Sequence, residues 1–277
     1  MLFRSIGYSN LVESWLGLTI DKGARFTDWS RRPLTERQIE YAIGDVTHLS
    51  KIFPRILKRL IKTGRGYRSS QELTFHCDSA DVTALFVLRT AMTGGMSGFA
   101  SSVAVHNEVV RRDPELAAIL YQPFHWSLLG QEQPGEAPYY QQPIFHMQDG
   151  YFSQRFVRAM IYGAEKHVGA PPMSAKQRAA LDLLCDVADN SPYSFRMMLA
   201  PGDLEILNNH TTMHARTEFK DHGTHDTNRH LLRLWLSMPN SRPLSPLMNY
   251  IYRDQTPGSV RGGFRAHGNR RIMETPL

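Results

Sequence analysis

Residues 229–236, Arg-His-Leu-Leu-Arg-Leu-Trp-Leu, alternate with a period of two. On a β-strand successive side chains point to opposite faces. Arg229, Leu231, Arg233 and Trp235 then share one face, and Leu232, Leu234 and Leu236 the other. If both faces are covered, two guanidinium groups point inward, which is costly unless each finds a counter-charge. A dicarboxylate ligand would satisfy one of them, because arginine grips a carboxylate through two parallel hydrogen bonds. Local acids such as Asp221 or Asp226 would serve as well, and spacing alone leaves both readings open.

Other segments share this texture. Leu73–His76, Val82–Leu88 and Leu204–Leu207 are rich in β-branched, aliphatic or aromatic residues and predict strands. Residues 104–112, 154–166 and 175–187 predict helices, the last with Ser174 and Gln177 spaced for a capping box. The pattern before residue 63 is different and mostly helical. Thr35 and Gln38 are spaced for another capping box, opening a helix to about residue 51. A basic helix follows Pro54, with Ile56, Leu57, Leu60 and Ile61 on its apolar face. Gly64, Gly66, Ser69 and Ser70 break the pattern and mark a junction. The fold class read from these elements is mixed α+β, with an N-terminal helical segment.

Charge follows the same division. Residues 1–70 hold 13 Lys and Arg against 6 Asp and Glu, while the rest of the chain holds 19 against 20. The net charge of +6 therefore comes from the first quarter. That quarter is a candidate for RNA contact, and equally a solvated basic helix face. Hydrophobic residues at 42% and charged residues at 21% are ordinary for a soluble globular protein. No run of about 18 apolar residues suggests a membrane span, and no signal peptide is evident. Two cysteines, Cys77 and Cys185, make no disulfide framework, so a reducing cytoplasm is the expected location.

His76-Cys77-Asp78 places two ligand-type side chains at i and i+2, on one face of a strand. His214 is the best distant third ligand. Two imidazoles and a carboxylate on one side of an octahedral ion leave three open positions, which suits non-haem Fe(II). A lone His-x-Asp is weak evidence in a chain with 12 histidines, and a structural role stays open for it.

Residues from about 72 to 265 resemble the TauD/TfdA-like Fe(II)/2-oxoglutarate dioxygenases. The resemblance rests on Phe75-His76-Cys77-Asp78-Ser79-Ala80-Asp81, Gly94-Gly95-Met96-Ser97, Pro201-Gly202-Asp203, Asn208-Asn209, His214-Ala215-Arg216 and residues 228–235, in that order. It implies a double-stranded β-helix, or jelly roll, with helical additions. It also implies Fe(II) on His76, Asp78 and His214, which would be the catalytic centre. Arg229 falls on the position that binds the distal carboxylate of the co-substrate 2-oxoglutarate, and Ser97 where a small hydroxyl assists. Arg233 falls close by, near the substrate. The implied reaction uses O₂, decarboxylates 2-oxoglutarate to succinate and hydroxylates a small molecule. Arg233 or Arg155 would suit an anionic substrate, and each equally suits a paired or surface position.

Residues from about 3 to 63 resemble the C-terminal part of a ribonuclease D-like 3′–5′ exonuclease domain. The stretch 21–34 precedes Tyr41-Ala42-Ile43-Gly44-Asp45 as it does in that family. Such enzymes use four acidic residues for two metal ions. Of that site Tyr41 and Asp45 are present, so the motif is expected to be vestigial and inactive as an exonuclease. The expected organisation is 1–63 exonuclease fragment, 64–71 junction and 72–277 dioxygenase domain lacking its N-terminal part. A shortened jelly roll can lose activity or need another chain to complete it, so an oligomer fits the sequence. Two other readings stay open: a nucleic-acid-binding fragment without exonuclease activity, and a non-functional chimera.

Overall fold

A computed structural model describes residues 70–132, 135–190, 192–223 and 227–263, with scattered positions between 13 and 40. Among those positions the Ile39 amide donates to the Thr35 carbonyl (3.0 Å), one turn of the expected capped helix. Tyr41 and Asp45, the basic helix after Pro54 and the candidate RNA-contacting surface of residues 1–63 lie outside the described residues.

The described strands begin with β1 (Leu73–His76), β2 (Val82–Arg89), β3 (Thr93–Gly94) and β4 (Ser97–Ser101). Helices α1 (Ser102–Arg112) and α2 (Pro114–Leu120) follow, then β5 (Phe124–Ser127), β6 (Tyr139–Gln142), β7 (Phe145–Gln148) and β8 (Tyr151–Gln154). After α3 (Arg158–Ala164) and α4 (Ala175–Asn190) come β9 (Ser194–Met197), β10 (Leu204–Asn208), β11 (Thr212–Arg216), β12 (Phe219–Lys220) and β13 (His230–Leu236). The chain is thus mixed α+β, with several antiparallel sheets.

Two sheets position the site. One has the strand order β1-β11-β4-β9, the other β10-β2-β13. Paired residues on neighbouring strands share a face. His76, His214, Phe99 and Phe195 therefore form one row across the first sheet. Arg216, Ser97 and Met197 form the next row on that face. In the second sheet Glu205, Leu85 and Arg233 are in register, as are Leu207, Thr83 and Trp235. Of the alternation expected for residues 229–236, the part from Leu231 to Leu236 holds, while Arg229 lies ahead of β13 and the register shifts between His230 and Leu231. Its opposite face is only partly covered: neighbouring Leu204 and Ile206 are 56% and 64% exposed.

The apolar core lies where α1, α2 and α4 meet β5–β8 and the first sheet. Leu120, Phe124, Trp126, Ile144, Leu181 and Leu184 are fully buried there. Helices α2 and α4 start at side-chain caps, and that of α4 is the one the sequence places. Ser174 and Gln177 exchange reciprocal hydrogen bonds of 3.0 and 3.1 Å at the head of α4. Asp113 accepts from the Leu116 amide at 2.9 Å, with Pro114 opening α2. The helix expected over 154–166 begins only at Arg158. The Gln154 amide donates to His210, that of Arg155 donates to Ile144, and the Phe156 carbonyl accepts from Cys77. These long-range bonds hold 154–156 extended. Among the described residues no helix is long and apolar enough to cross a membrane.

Candidate metal centre

His76 is the last residue of β1 and faces His214 of β11. The rings lie 4.2 Å apart, tilted by 46°. Asp78 falls just beyond the strand, because the Cys77 amide leaves the sheet to bond Phe156. Strand alternation therefore does not set its direction, and yet it reaches the same point. One ligand atom from each of His76, Asp78 and His214 lies within 4.8 Å of the others. The separation between His214 Nε2 and Asp78 Oδ2 is 3.9 Å.

The protonation states suit a cation. His76 Nδ1 donates to the Thr74 carbonyl (2.9 Å), which leaves Nε2 with its lone pair. Burial lowers the proton affinity of His76 and pushes His214 down to about 3, so both rings are neutral near pH 7. Burial opposes ionisation of Asp78, but Arg233, the two imidazoles and the Trp235 indole outweigh it. The Asp78 carboxyl is held well below the usual range. Two neutral imidazoles and one carboxylate are the donor set a divalent first-row metal takes.

Asp78 is gripped from the second sheet. Trp235 Nε1 and Thr83 Oγ1 donate to Oδ2 at 2.7 and 2.9 Å. Arg233 Nη1 lies 3.3 and 3.4 Å from the two oxygens. Asn209 accepts from the Asp78 amide (3.2 Å) and donates to Thr83 (2.9 Å). Arg155, offered by the sequence as a substrate contact, is buried and braces the same loop. It donates to the Cys77 carbonyl at 2.6 Å and to Ser79 Oγ at 2.9 Å. Asp81 fixes the far end of the loop, accepting from Arg261 Nε and the Met238 amide and pairing with His210.

Ser97 and Arg229 line one recess together with Gly94 and Gly95. The glycines are needed there. Gly94 and Gly95 have φ of +75° and +77°, and a Cβ on Gly95 would stand 3.2 Å from Arg229 Nε. Arg229 and Arg216 both lie over the Phe219 ring, at 5.2 and 4.6 Å. Burial, then the Arg216 charge, pushes Arg229 down to about 10. Asp221 takes the Arg229 backbone amide (2.8 Å), while its charge favours the guanidinium.

The roles of Thr83, Asn209, Trp235, Arg216 and Glu205 were not evident in the sequence. Trp235 and Arg216 stand within motifs already singled out. Glu205 had a signal too, as a charged residue sharing the buried face of a strand with Leu207.

Two family models match the chain. The taurine catabolism dioxygenase TauD, TfdA family matches residues 37–235, and a 3′–5′ exonuclease family matches residues 2–61. FR-33289 synthase of Streptomyces rubellomurinus is 33% identical over 184 residues, 65% of this chain and 54% of that protein. Ribonuclease D of Sphingobium indicum is 62% identical over 72 residues, 26% of this chain and 19% of that protein. A solved structure of asparagine oxygenase with Fe(II), 2S,3S-3-hydroxyasparagine and succinate aligns at TM-score 0.46 and 24% identity. It covers 62% of this chain and 52% of that one. The chain thus spans about half the length of the synthase and a fifth of the ribonuclease. With a match over residues 37–235, it belongs to the TauD/TfdA dioxygenase family, and residues 2–61 bring to it a ribonuclease D-like exonuclease fragment.

Proposed function

We propose that this protein is an Fe(II)- and 2-oxoglutarate-dependent dioxygenase that hydroxylates a small molecule. The observation that carries the reading is the convergence of His76, Asp78 and His214 with their ligand atoms within 4.8 Å. These residues would hold the iron. When bound, the iron supplies the redox chemistry that couples decarboxylation of 2-oxoglutarate to succinate with O₂-dependent hydroxylation.

The chain's own part is orientation and exclusion of water. Trp235 and Thr83 fix one oxygen of Asp78, and the hydrogen bond to Thr74 sets the tautomer of His76. Arg229 and Ser97 are proposed to receive the distal carboxylate of 2-oxoglutarate, in the recess they share. Arg233 pairs with Asp78, and its proposed part is to steady that carboxylate and meet the substrate's edge. A small substrate with an anionic group fits the cationic side of this interior, and the family model is named for taurine, a sulfonate. The fold proposed for this portion is a double-stranded β-helix. The strand orders β1-β11-β4-β9 and β10-β2-β13 support it, as does the meeting of the two inner faces at Asp78. The proposed organisation is a helical unit over 1–63, a junction at 64–71 and the dioxygenase portion over 72–277.

Succinate release in the presence of Fe(II), 2-oxoglutarate and O₂ tests the reading. The wild type is expected to turn over 2-oxoglutarate slowly even without its prime substrate, and His76→Ala to abolish this. Equal succinate release from both proteins would overturn it.

A further inference from the structure

Strand β10 turns Glu205 toward the first sheet, in register with Leu85 and Arg233. Its side chain is buried, with the residue 7% exposed. Its carboxyl is near enough to Ser97 of β4 for the hydroxyl to favour the anion, while Oε2 makes no hydrogen bond among the described residues. Arg229 is near enough for the two charges to act on each other. A carboxyl group of the chain therefore stands beside Ser97 and Arg229, the pair assigned above to the distal carboxylate of 2-oxoglutarate. A groove of about 390 Å³, lined by Phe99, Phe195, Met197 and Leu207, reaches Glu205 and offers a route for protons.

Two ionised carboxylates crowd one buried guanidinium at a cost, whereas a carboxylate and a carboxylic acid do not, because the acid donates a hydrogen bond. The surroundings on each side decide which form is present. Burial favours the acid, and so does Asp78, beyond β1. Ser97 on β4 and Arg229, ahead of β13, favour the anion. Arg233 on β13 is paired with Asp78. Arg216 on β11 adds positive charge beside Arg229. Asp203, just before β10, accepts from the Ala200 amide. On β9, Arg196 pairs with Asp189. Burial prevails, and the Glu205 carboxyl is pushed up to about 7.

Resting on the reading of Ser97 and Arg229 as the co-substrate pocket, we propose that Glu205 couples 2-oxoglutarate binding to a proton. As an acid it completes the pocket and donates to the incoming carboxylate. As an anion it takes Ser97 and Arg229 for itself. Where Glu205 is ionised in the free protein, co-substrate binding then takes up one proton.

Calorimetric titration of the Mn(II)-loaded full chain with 2-oxoglutarate tests this, from about pH 6 to about pH 9 in buffers of different ionisation enthalpy. The wild type should bind with constant affinity at the acid end. Above neutrality it should lose roughly tenfold per pH unit, with about one proton taken up from the buffer. Glu205→Gln keeps a neutral donor and should bind with little pH dependence over the same range. Proton uptake is read in the wild type and so does not depend on the variant folding. Wild-type binding without proton uptake, or the same pH slope in Glu205→Gln, would overturn the proposal and leave the pocket assignment standing. Absence of 2-oxoglutarate binding by both proteins at every pH would overturn both.

Discussion

The grip on Asp78 comes from three side chains of the second sheet, and Trp235 makes its shortest contact, at 2.7 Å. An indole N–H can only donate, so with Thr83 it fixes Oδ2, the oxygen that lies 3.9 Å from His214 Nε2. Partners of this kind set a ligand's direction, and their loss typically weakens metal binding by about 10–100-fold. Trp235→Phe keeps most of the ring's packing and removes the donor. It is expected to weaken Co(II) binding within that range, read by competition with a chelator, with little change in the unfolding midpoint. An unchanged affinity would assign Trp235 a packing role alone. The two histidines and the inward Arg233 were legible because their residue types and strand period carry the information, whereas Arg229 lies ahead of β13, where that period does not reach. The counter-charge to Arg233 was not, because Asp78 lies 155 positions away and past the end of its strand. The acids near in sequence, Asp221 and Asp226, were the candidates that spacing could offer.

At the scale of elements, legibility followed length and capping. α4 reads from its 16 residues, its apolar stripe and the Ser174–Gln177 box, and it forms as expected. β5 to β8 have four residues each, too few for a period of two to stand out among His, Gln and Tyr. Residues 154–156 carry helix-compatible side chains, yet their backbone groups are bound to His210, Ile144 and Cys77, and that tertiary pairing overrides local preference. α4 contributes Leu181 and Leu184 to the core at 0% exposure. Leu184→Ala should destabilise the fold by about 2–5 kcal/mol, as cavity-forming substitutions do, read as a lowered denaturant midpoint. Its effect on metal affinity should be small, since α4 lies behind the first sheet and supplies no ligand. A loss of stability well under about 1 kcal/mol would show that the site collapses around the cavity.

Across the whole molecule, the proposed ligands come from two segments, 76–78 and 214, joined through the pairing of β1 with β11. An ion bound there ties the two segments together and binds the folded chain in preference to the unfolded one. Its stabilisation is about 4 kcal/mol at a thousandfold excess over the dissociation constant, enough to raise the unfolding temperature by several degrees. That rise should appear with Co(II) in the wild type and be absent in His214→Ala. The charge division at the end of the first quarter agrees with an exonuclease match that ends at residue 61. The dioxygenase match begins earlier than the sequence texture suggested, at residue 37, and overlaps it.

His76, Asp78 and His214 are proposed to hold one ferrous ion with positions left for a 2-oxo acid. Anaerobic titration of Fe(II) followed by 2-oxoglutarate tests it most directly, read by visible absorption. A charge-transfer band is expected that appears on adding 2-oxoglutarate, saturates at one iron per chain and is lost in His76→Ala. A band that survives that substitution, or none in the wild type with iron bound, would contradict it.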